Sequence, residues 1–134
     1  MKGDSLFVTN CDILLKTDYA DLFEFHKQND ADITLVGAMR HYTIPYGIIE
    51  KTEQGFFDAI HEKPQYDFWV NTGMYVIRKK ILKQIPKKGI YDFPDLIKMV
   101  KASGGSIAVF PVSQPSWIDV GQWQEYQKAL RDLE

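Results

Sequence analysis

The chain is poor in cysteine, in net positive charge and in long apolar runs, and each shortage closes off a class of protein. One cysteine, Cys11, in 134 residues excludes an internal disulfide and fits a reducing cytoplasm, the compartment expected for this chain. A net charge of -2 and a pI near 5.9 leave no basic footprint, so nucleic acid is not expected as a partner. No apolar run approaches the roughly 20 residues of a spanning helix, and the Met1-Lys2-Gly3-Asp4 start carries no apolar segment of signal-peptide type. A membrane partner is therefore not expected either. His26, His41 and His61 show no metal-ligand spacing and read as surface or supporting residues. Cys11 reads as a small apolar filler, and no Ser-His-Asp or Cys-His grouping stands out.

What is present is enough apolar material for a core: 45% hydrophobic and 13% aromatic residues in one domain's length, 1–134. The organising stretch is Leu6-Phe7-Val8-Thr9-Asn10-Cys11-Asp12. Three apolar residues read as a short strand, and the polar residues after them bring Asp12 to its carboxyl end. Asp18 or Thr17 can cap a helix bearing Tyr19, Leu22, Phe23 and Phe25, which Asn29-Asp30 ends. Ile33-Thr34-Leu35-Val36-Gly37-Ala38 is a buried strand, so residues 6 to 38 resemble a βαβ unit with parallel strands. Residues 46–50 and 56–60 flank a turn at Gln54-Gly55 and read as a hairpin, which makes the sheet mixed.

Trp69 to Ile77 reads as a strand interrupted by Asn71-Thr72-Gly73, and a glycine there marks a bulge or a close approach. A short helix with Ile81, Leu82 and Ile85 stops at Pro86. Asp92 or Asp95 opens a longer one with Leu96, Ile97 and Val100, ended by Gly104-Gly105. Ile107 to Val112 returns to strand. Trp117-Ile118-Asp119-Val120-Gly121 follows, and then a terminal helix with Trp123, Tyr126 and Leu130 at helical spacing.

Four features carry possible chemistry, each beside a plainer reading. Asp12 and Asp119 both follow apolar strand-like residues and could converge to hold Mg²⁺, which takes one or two protein oxygens and completes its shell with water and phosphate; otherwise they are two loop caps. Glu62-Lys63-Pro64 sets an acid beside a base, with Pro64 biasing Lys63 to an extended backbone; a surface ion-pair segment is the alternative. Asn71-Thr72-Gly73 offers an amide that donates and accepts, suited to sugar hydroxyls, or is a structural bulge. Gly47, after Ile44-Pro45-Tyr46, is a second close approach or a turn glycine.

Taken in order, Asn10-Cys11-Asp12, Pro45 to Glu50, Glu62-Lys63-Pro64, Asn71 to Tyr75 and Trp117 to Gly121 resemble the successive motifs of the sugar-1-phosphate nucleotidyltransferases, the nucleoside-diphosphate-sugar pyrophosphorylases that include mannose-1-phosphate guanylyltransferases. The resemblance spans nearly the whole chain. It implies an α/β fold, a mixed, mostly parallel sheet flanked by helices, corresponding to the C-terminal half of a Rossmann-like nucleotidyltransferase domain. It also implies that Asp12 and Asp119 hold the catalytic Mg²⁺, that Lys63 binds the phosphate of a sugar-1-phosphate, and that Glu62, Asn71, Thr72 and the backbone at Gly47 and Gly73 read the sugar. Catalytic roles thus fall to Asp12, Lys63 and Asp119. The implied reaction is attack of the sugar phosphate on the α-phosphorus of a nucleoside triphosphate, with pyrophosphate leaving.

Cys11 departs from the small residue more usual at its position. The larger departure is the absence of the family's glycine-rich G-G-x-G-T-R-L loop, which cradles the triphosphate. The resemblance therefore implies the sugar-binding half of a catalytic domain, inactive alone and prone to self-associate through the surface that the other half would cover. The alternatives are a non-catalytic sugar-phosphate-binding or assembly module, or a glycosyltransferase, whose Asp-x-Asp motif the chain only half supplies.

Overall fold

The computed structural model describes residues 4–86, 89, 91–121 and 127. Four strands, β1 (Ser5–Thr9), β3 (Ile33–Thr43), β6 (Gln65–Arg78) and β7 (Ile107–Val112), form one sheet in the order β1-β6-β3-β7. β6 runs antiparallel to both β1 and β3, and β7 lies parallel to β3. The sheet is thus mixed, with β1, β3 and β7 pointing the same way. The sequence reading placed β1 and β3 in one βαβ unit; they are co-directional, but β6 inserts between them as a neighbour to both. β6 residues pair with β3 residues 22 to 44 positions away and with β1 residues 65 to 73 positions away, and no local pattern encodes this.

Two short ribbons stand apart from this sheet. β2 (Ile13–Leu15), which the sequence pattern did not reveal, pairs with β8 (Trp117–Asp119), and β4 (Ile48–Lys51) pairs with β5 (Phe57–His61) as the expected hairpin. The expected terminal helix around Trp123, Tyr126 and Leu130 lies outside the described residues.

Helix α1 (Tyr19–Gln28) starts where the Asp18 carboxylate accepts the Ala20 N–H at 2.7 Å, satisfying one of the helix's unpaired donors. Its buried residues Leu22 and His26 lie four apart, on one face. That face closes a core with Val36, Ala38, Met74, Val76 and Val112, on which Ile13, Leu15 and Trp117 also pack. The opposite sheet face buries Ile33, Tyr75 and Ile77 against α2 (Lys79–Leu82) and α3 (Phe93–Ala102), through Ile81, Leu96 and Val100. β3 is covered on both sides, which is why residues 33–38 read as a continuous apolar run rather than an alternating one.

His26 corrects the surface reading: it is buried, bonded through Nδ1 to Thr34 Oγ1 at 2.8 Å and through Nε2 to Ser5 Oγ at 3.1 Å. An imidazole four residues from Leu22 shares the inward face, and the two hydroxyls satisfy it there. Nearby, the Asp32 carboxylate pairs with Lys80 Nζ at 2.6 Å and accepts the Ser106 N–H at 3.2 Å. Burial pushes that carboxyl up, but Lys80, the Ser106 amide and Arg78 outweigh it and hold it below the ordinary carboxylate range. No helix among the described residues is long and apolar enough to cross a membrane.

Candidate functional site

β1 ends at Thr9, and Asn10 and Cys11 carry the chain to Asp12 and straight into β2. In the β2–β8 ribbon Ile13 lies opposite Asp119, the Val120 N–H donates to the Asp12 carbonyl at 2.9 Å, and the Lys16 N–H donates to Ser116 at 2.7 Å. This short ribbon brings together two aspartates that are 107 positions apart in sequence. A Cβ on Gly121 would stand 2.8 Å from Asp12 Oδ2 and 3.1 Å from Asp119 Oδ1. Both carboxylates therefore flank one small space that a side chain at 121 would fill, and Asp119 Oδ1 also accepts the Gly121 N–H at 3.0 Å.

Facing them is the irregular stretch of β6. Between Leu35–Tyr75 and Gly37–Asn71 the register with β3 shifts, so Thr72, Gly73 and Met74 oppose Val36 alone. Gly73 adopts φ +82°, and a Cβ there would lie 2.6 Å from the Asn10 amide nitrogen. Two requirements, a left-handed backbone and contact with Asn10, thus fall on one glycine. The Asn10 N–H donates to the Gly73 carbonyl at 2.9 Å, tying the end of β1 to the bulge.

The bulge corrects the reading of Thr72. Its side chain is buried, with Oγ1 donating to the Val36 carbonyl at 2.9 Å and accepting the Met74 N–H at 3.3 Å. The hydroxyl is committed to holding the irregular backbone, so Thr72 shapes the site rather than reading sugar hydroxyls. Its carbonyl accepts the Trp117 Nε1–H at 3.1 Å, and the Arg40 guanidinium lies over the Trp117 ring, 4.9 Å from its centroid.

Asn10, Asp12, Asn71, Thr72, Gly73 and Asp119 line one open cleft of about 460 Å³, with Ile13, Tyr75, Asp92, Phe93, Pro94 and Trp117. Asp92 and its neighbours enter because α3 begins there, and the Asp92 side chain makes no capping bond. Only its role as a possible helix cap was visible in the sequence. The lining carries three carboxylates and no lysine, arginine or histidine, which attracts cations. Among the described residues no group of three or more His, Cys, Asp or Glu side chains could hold a metal. Asp12 and Asp119 suit an ion that takes only one or two carboxylates and completes its shell from water and phosphate, as Mg²⁺ does. Cys11 beside them is exposed, correcting its reading as a small apolar filler.

Gly47, Glu62 and Lys63 are not among the residues lining this cleft. They belong to the β4–β5 arm, where a Cβ on Gly47 would stand 2.9 Å from Glu62 Oε2. Glu62 and Gly47 thus meet, as a shared role would need. Lys63 sits at φ +45° instead of the extended backbone inferred from Pro64. A non-glycine residue in that region costs roughly 1–3 kcal/mol and persists only where its surroundings impose it.

With this geometry in place the comparisons with known proteins decide the family. A family model described as nucleotidyl transferase matches residues 1–134. The chain belongs to the nucleotidyl transferase family. It is 28% identical over 141 residues to mannose-1-phosphate guanylyltransferase of Mycobacterium tuberculosis, a match covering 99% of this chain and 38% of the relative. It is 27% identical to glucose-1-phosphate adenylyltransferase of Clostridium perfringens, covering 96% and 35% of the two chains, and 24% identical to mannose-1-phosphate guanylyltransferase 1 of Arabidopsis thaliana, covering 96% and 36%. The chain thus spans little more than a third of the length of these curated relatives. The crystal structure of HddC from Yersinia pseudotuberculosis superposes with a TM-score of 0.68 at 24% identity, over 100% of this nucleotidyl transferase chain and 57% of the other. The fold is the Rossmann-like one of the nucleotidyltransferases, with a mixed sheet between helices.

Proposed function

We propose that this nucleotidyl transferase chain supplies the metal and sugar-phosphate half of a sugar-1-phosphate nucleotidyltransferase, which joins a sugar-1-phosphate to a nucleoside triphosphate and releases pyrophosphate. The observation that carries the reading is the convergence of Asp12 and Asp119 on the space beside Gly121, in the cleft that also holds Asn71 and Gly73. Sugar-phosphate relatives of two base specificities, guanylyl and adenylyl, match over nearly the whole chain.

In this reading Asp12 and Asp119 would hold Mg²⁺, which would supply positive charge to neutralise phosphate. Asn71 and the bare backbone of Gly73 meet sugar hydroxyls, Glu62 with Gly47 adds a second set of contacts from the arm, and Lys63 meets the sugar phosphate as a point charge. The chain's contribution to rate is alignment of the attacking oxygen and containment of charge. Among the described residues the cleft lining holds no lysine or arginine to meet a triphosphate, and the sequence contains no glycine-rich phosphate loop.

Self-association belongs to the same proposal. Among the described residues the sheet has two edges, and β7 is guarded by Pro111, which lacks an N–H to pair. β1 has no proline, and it exposes Phe7, whose ring contacts Tyr19 and Phe23 at 5.8 Å each. An open edge with aromatic side chains invites strand pairing. Sedimentation at rising concentration should show association that Phe7→Lys weakens; a wild-type monomer at every concentration refutes this part.

The functional reading is tested by calorimetric titration of mannose-1-phosphate and glucose-1-phosphate into the chain. Mg²⁺ should tighten wild-type binding, Asp119→Asn should remove that dependence, and Lys63→Ala should weaken binding roughly tenfold or more, the worth of a charged hydrogen bond. Binding indifferent to Mg²⁺ and to both substitutions overturns it.

A further inference from the structure

The carboxamide of Asn71 is not free to turn. Its Oδ1 accepts the Gly73 main-chain N–H at 3.2 Å, a group that can only donate, and its Nδ2 donates to the Tyr75 hydroxyl oxygen at 2.7 Å. Tyr75 is itself immobilised: it is 4% exposed, and its ring stacks on Phe93 with centroids 3.7 Å apart and planes at 23°. Phe93 is the first residue of α3, so the helix behind the cleft buttresses a tyrosine that in turn holds an exposed amide at the cleft wall.

We propose that Tyr75 is a positioning residue that fixes which way round Asn71 presents its donor and acceptor to the cleft, and that this order selects among sugar phosphates differing in the configuration of one hydroxyl. The proposal rests on the sugar-phosphate reading of the cleft. With Oδ1 turned toward Gly73 and one amide hydrogen given to Tyr75, the second amide hydrogen and the second lone pair of Oδ1 remain for a ligand, side by side and in fixed order. Two neighbouring hydroxyls on a sugar ring can match such a pair in one arrangement and mismatch it in the other. A donor facing a donor leaves both unpaired, so a fixed amide discriminates where a freely flipping one adapts. Without the Tyr75 hydroxyl the Gly73 bond alone holds Oδ1, and the amide gains freedom to turn.

The test is Tyr75→Phe in the full chain, which keeps the ring and its stack on Phe93 and removes only the oxygen. In ligand-free NMR spectra the two Asn71 side-chain hydrogens should be well separated in the wild type, and should draw together and exchange faster in Tyr75→Phe. In titrations with mannose-1-phosphate and glucose-1-phosphate, the wild type should prefer one of them, and Tyr75→Phe should reduce that preference several-fold with little change in thermal midpoint. Asn71→Ala should remove the preference, and the double variant should lose no more than Asn71→Ala alone, because the effect of Tyr75 passes through Asn71. Unchanged Asn71 resonances in Tyr75→Phe overturn the proposal, and so do additive losses in the double variant. Should the wild type bind neither sugar phosphate, the reading of the cleft falls, while the ligand-free spectra still decide whether Tyr75 fixes Asn71.

Discussion

The indole Nε1–H of Trp117 donates to the main-chain carbonyl of Thr72 at 3.1 Å, linking the ribbon that carries Asp119 to the bulge that carries Asn71. This carbonyl lies where the register between β6 and β3 shifts, and the indole supplies it a donor. Trp117→Phe removes this bond and weakens the stacking of Arg40, and should cost about 1–2 kcal/mol. Urea unfolding checks the cost, and amide shifts should spread from Asp119 and Gly121 to Asn71 and Gly73. A shift confined to β8 would show that the two halves of the cleft are not tied through this bond.

Gly73→Ala should be among the more damaging small substitutions. The left-handed φ of +82° alone costs a side chain roughly 1–3 kcal/mol, and the new Cβ would meet the Asn10 amide at 2.6 Å. Adding Asn10→Ala clears that amide and should return part of the loss but not the backbone share. Unfolding midpoints of the single and double variants separate the two contributions; a Gly73→Ala chain as stable as the wild type contradicts the account of the bulge.

Acid should weaken the fold in two stages. Burial, aided by the Arg78 cation and opposed by Asp32, holds the His26 imidazole below its ordinary 6.5. The unfolded chain then binds this proton more readily than the folded one, so stability is full above about pH 6.5 and falls as pH drops below it. The Asp32 carboxyl, held below its ordinary 3.8, adds a second loss as pH falls from about 3.8 through its folded value. Unfolding midpoints between pH 7.5 and 5.5 should decline in the wild type and decline less in His26→Gln; equal slopes would remove His26 from the explanation.

Turnover by this chain alone should be absent. Transfer at the α-phosphorus needs cations and N–H groups around the triphosphate, and losing one contact aimed at the developing charge costs roughly 10²–10³ in rate. Incubation with each common nucleoside triphosphate, Mg²⁺ and mannose- or glucose-1-phosphate should release no pyrophosphate. Release that Asp12→Asn abolishes would show that the chain, alone or as an assembly, builds a nucleotide site from residues assigned here to other roles.

Much of this was legible in the sequence because it is local. Alternation, caps and turn residues located the hairpin at Gln54-Gly55, the α1 cap at Asp18 and the irregularity at Gly73. The order of motifs marked Asp12, Asp119 and Asn71, which the fold brings to one cleft. The insertion of β6 between β1 and β3 was hidden because it pairs distant segments, and β2 was hidden because three residues are too few to show a period. The burial of His26 follows from helical spacing with Leu22, a signal available but unused. The loss of the Thr72 hydroxyl to the backbone and the left-handed Lys63 are set by tertiary contacts that no spacing reports.

The central claim is that Asp12 and Asp119 form one cation site at the mouth of the sugar cleft. Paramagnetic broadening by Mn²⁺, a stand-in for Mg²⁺, tests it on this chain in solution. The account predicts broadening centred on the amides of Asn10, Asp12, Gly73, Asp119 and Gly121, abolished by Asp12→Asn or Asp119→Asn. Broadening centred elsewhere, as on the Asp30 and Asp32 carboxylates, or unchanged in both variants, would contradict it.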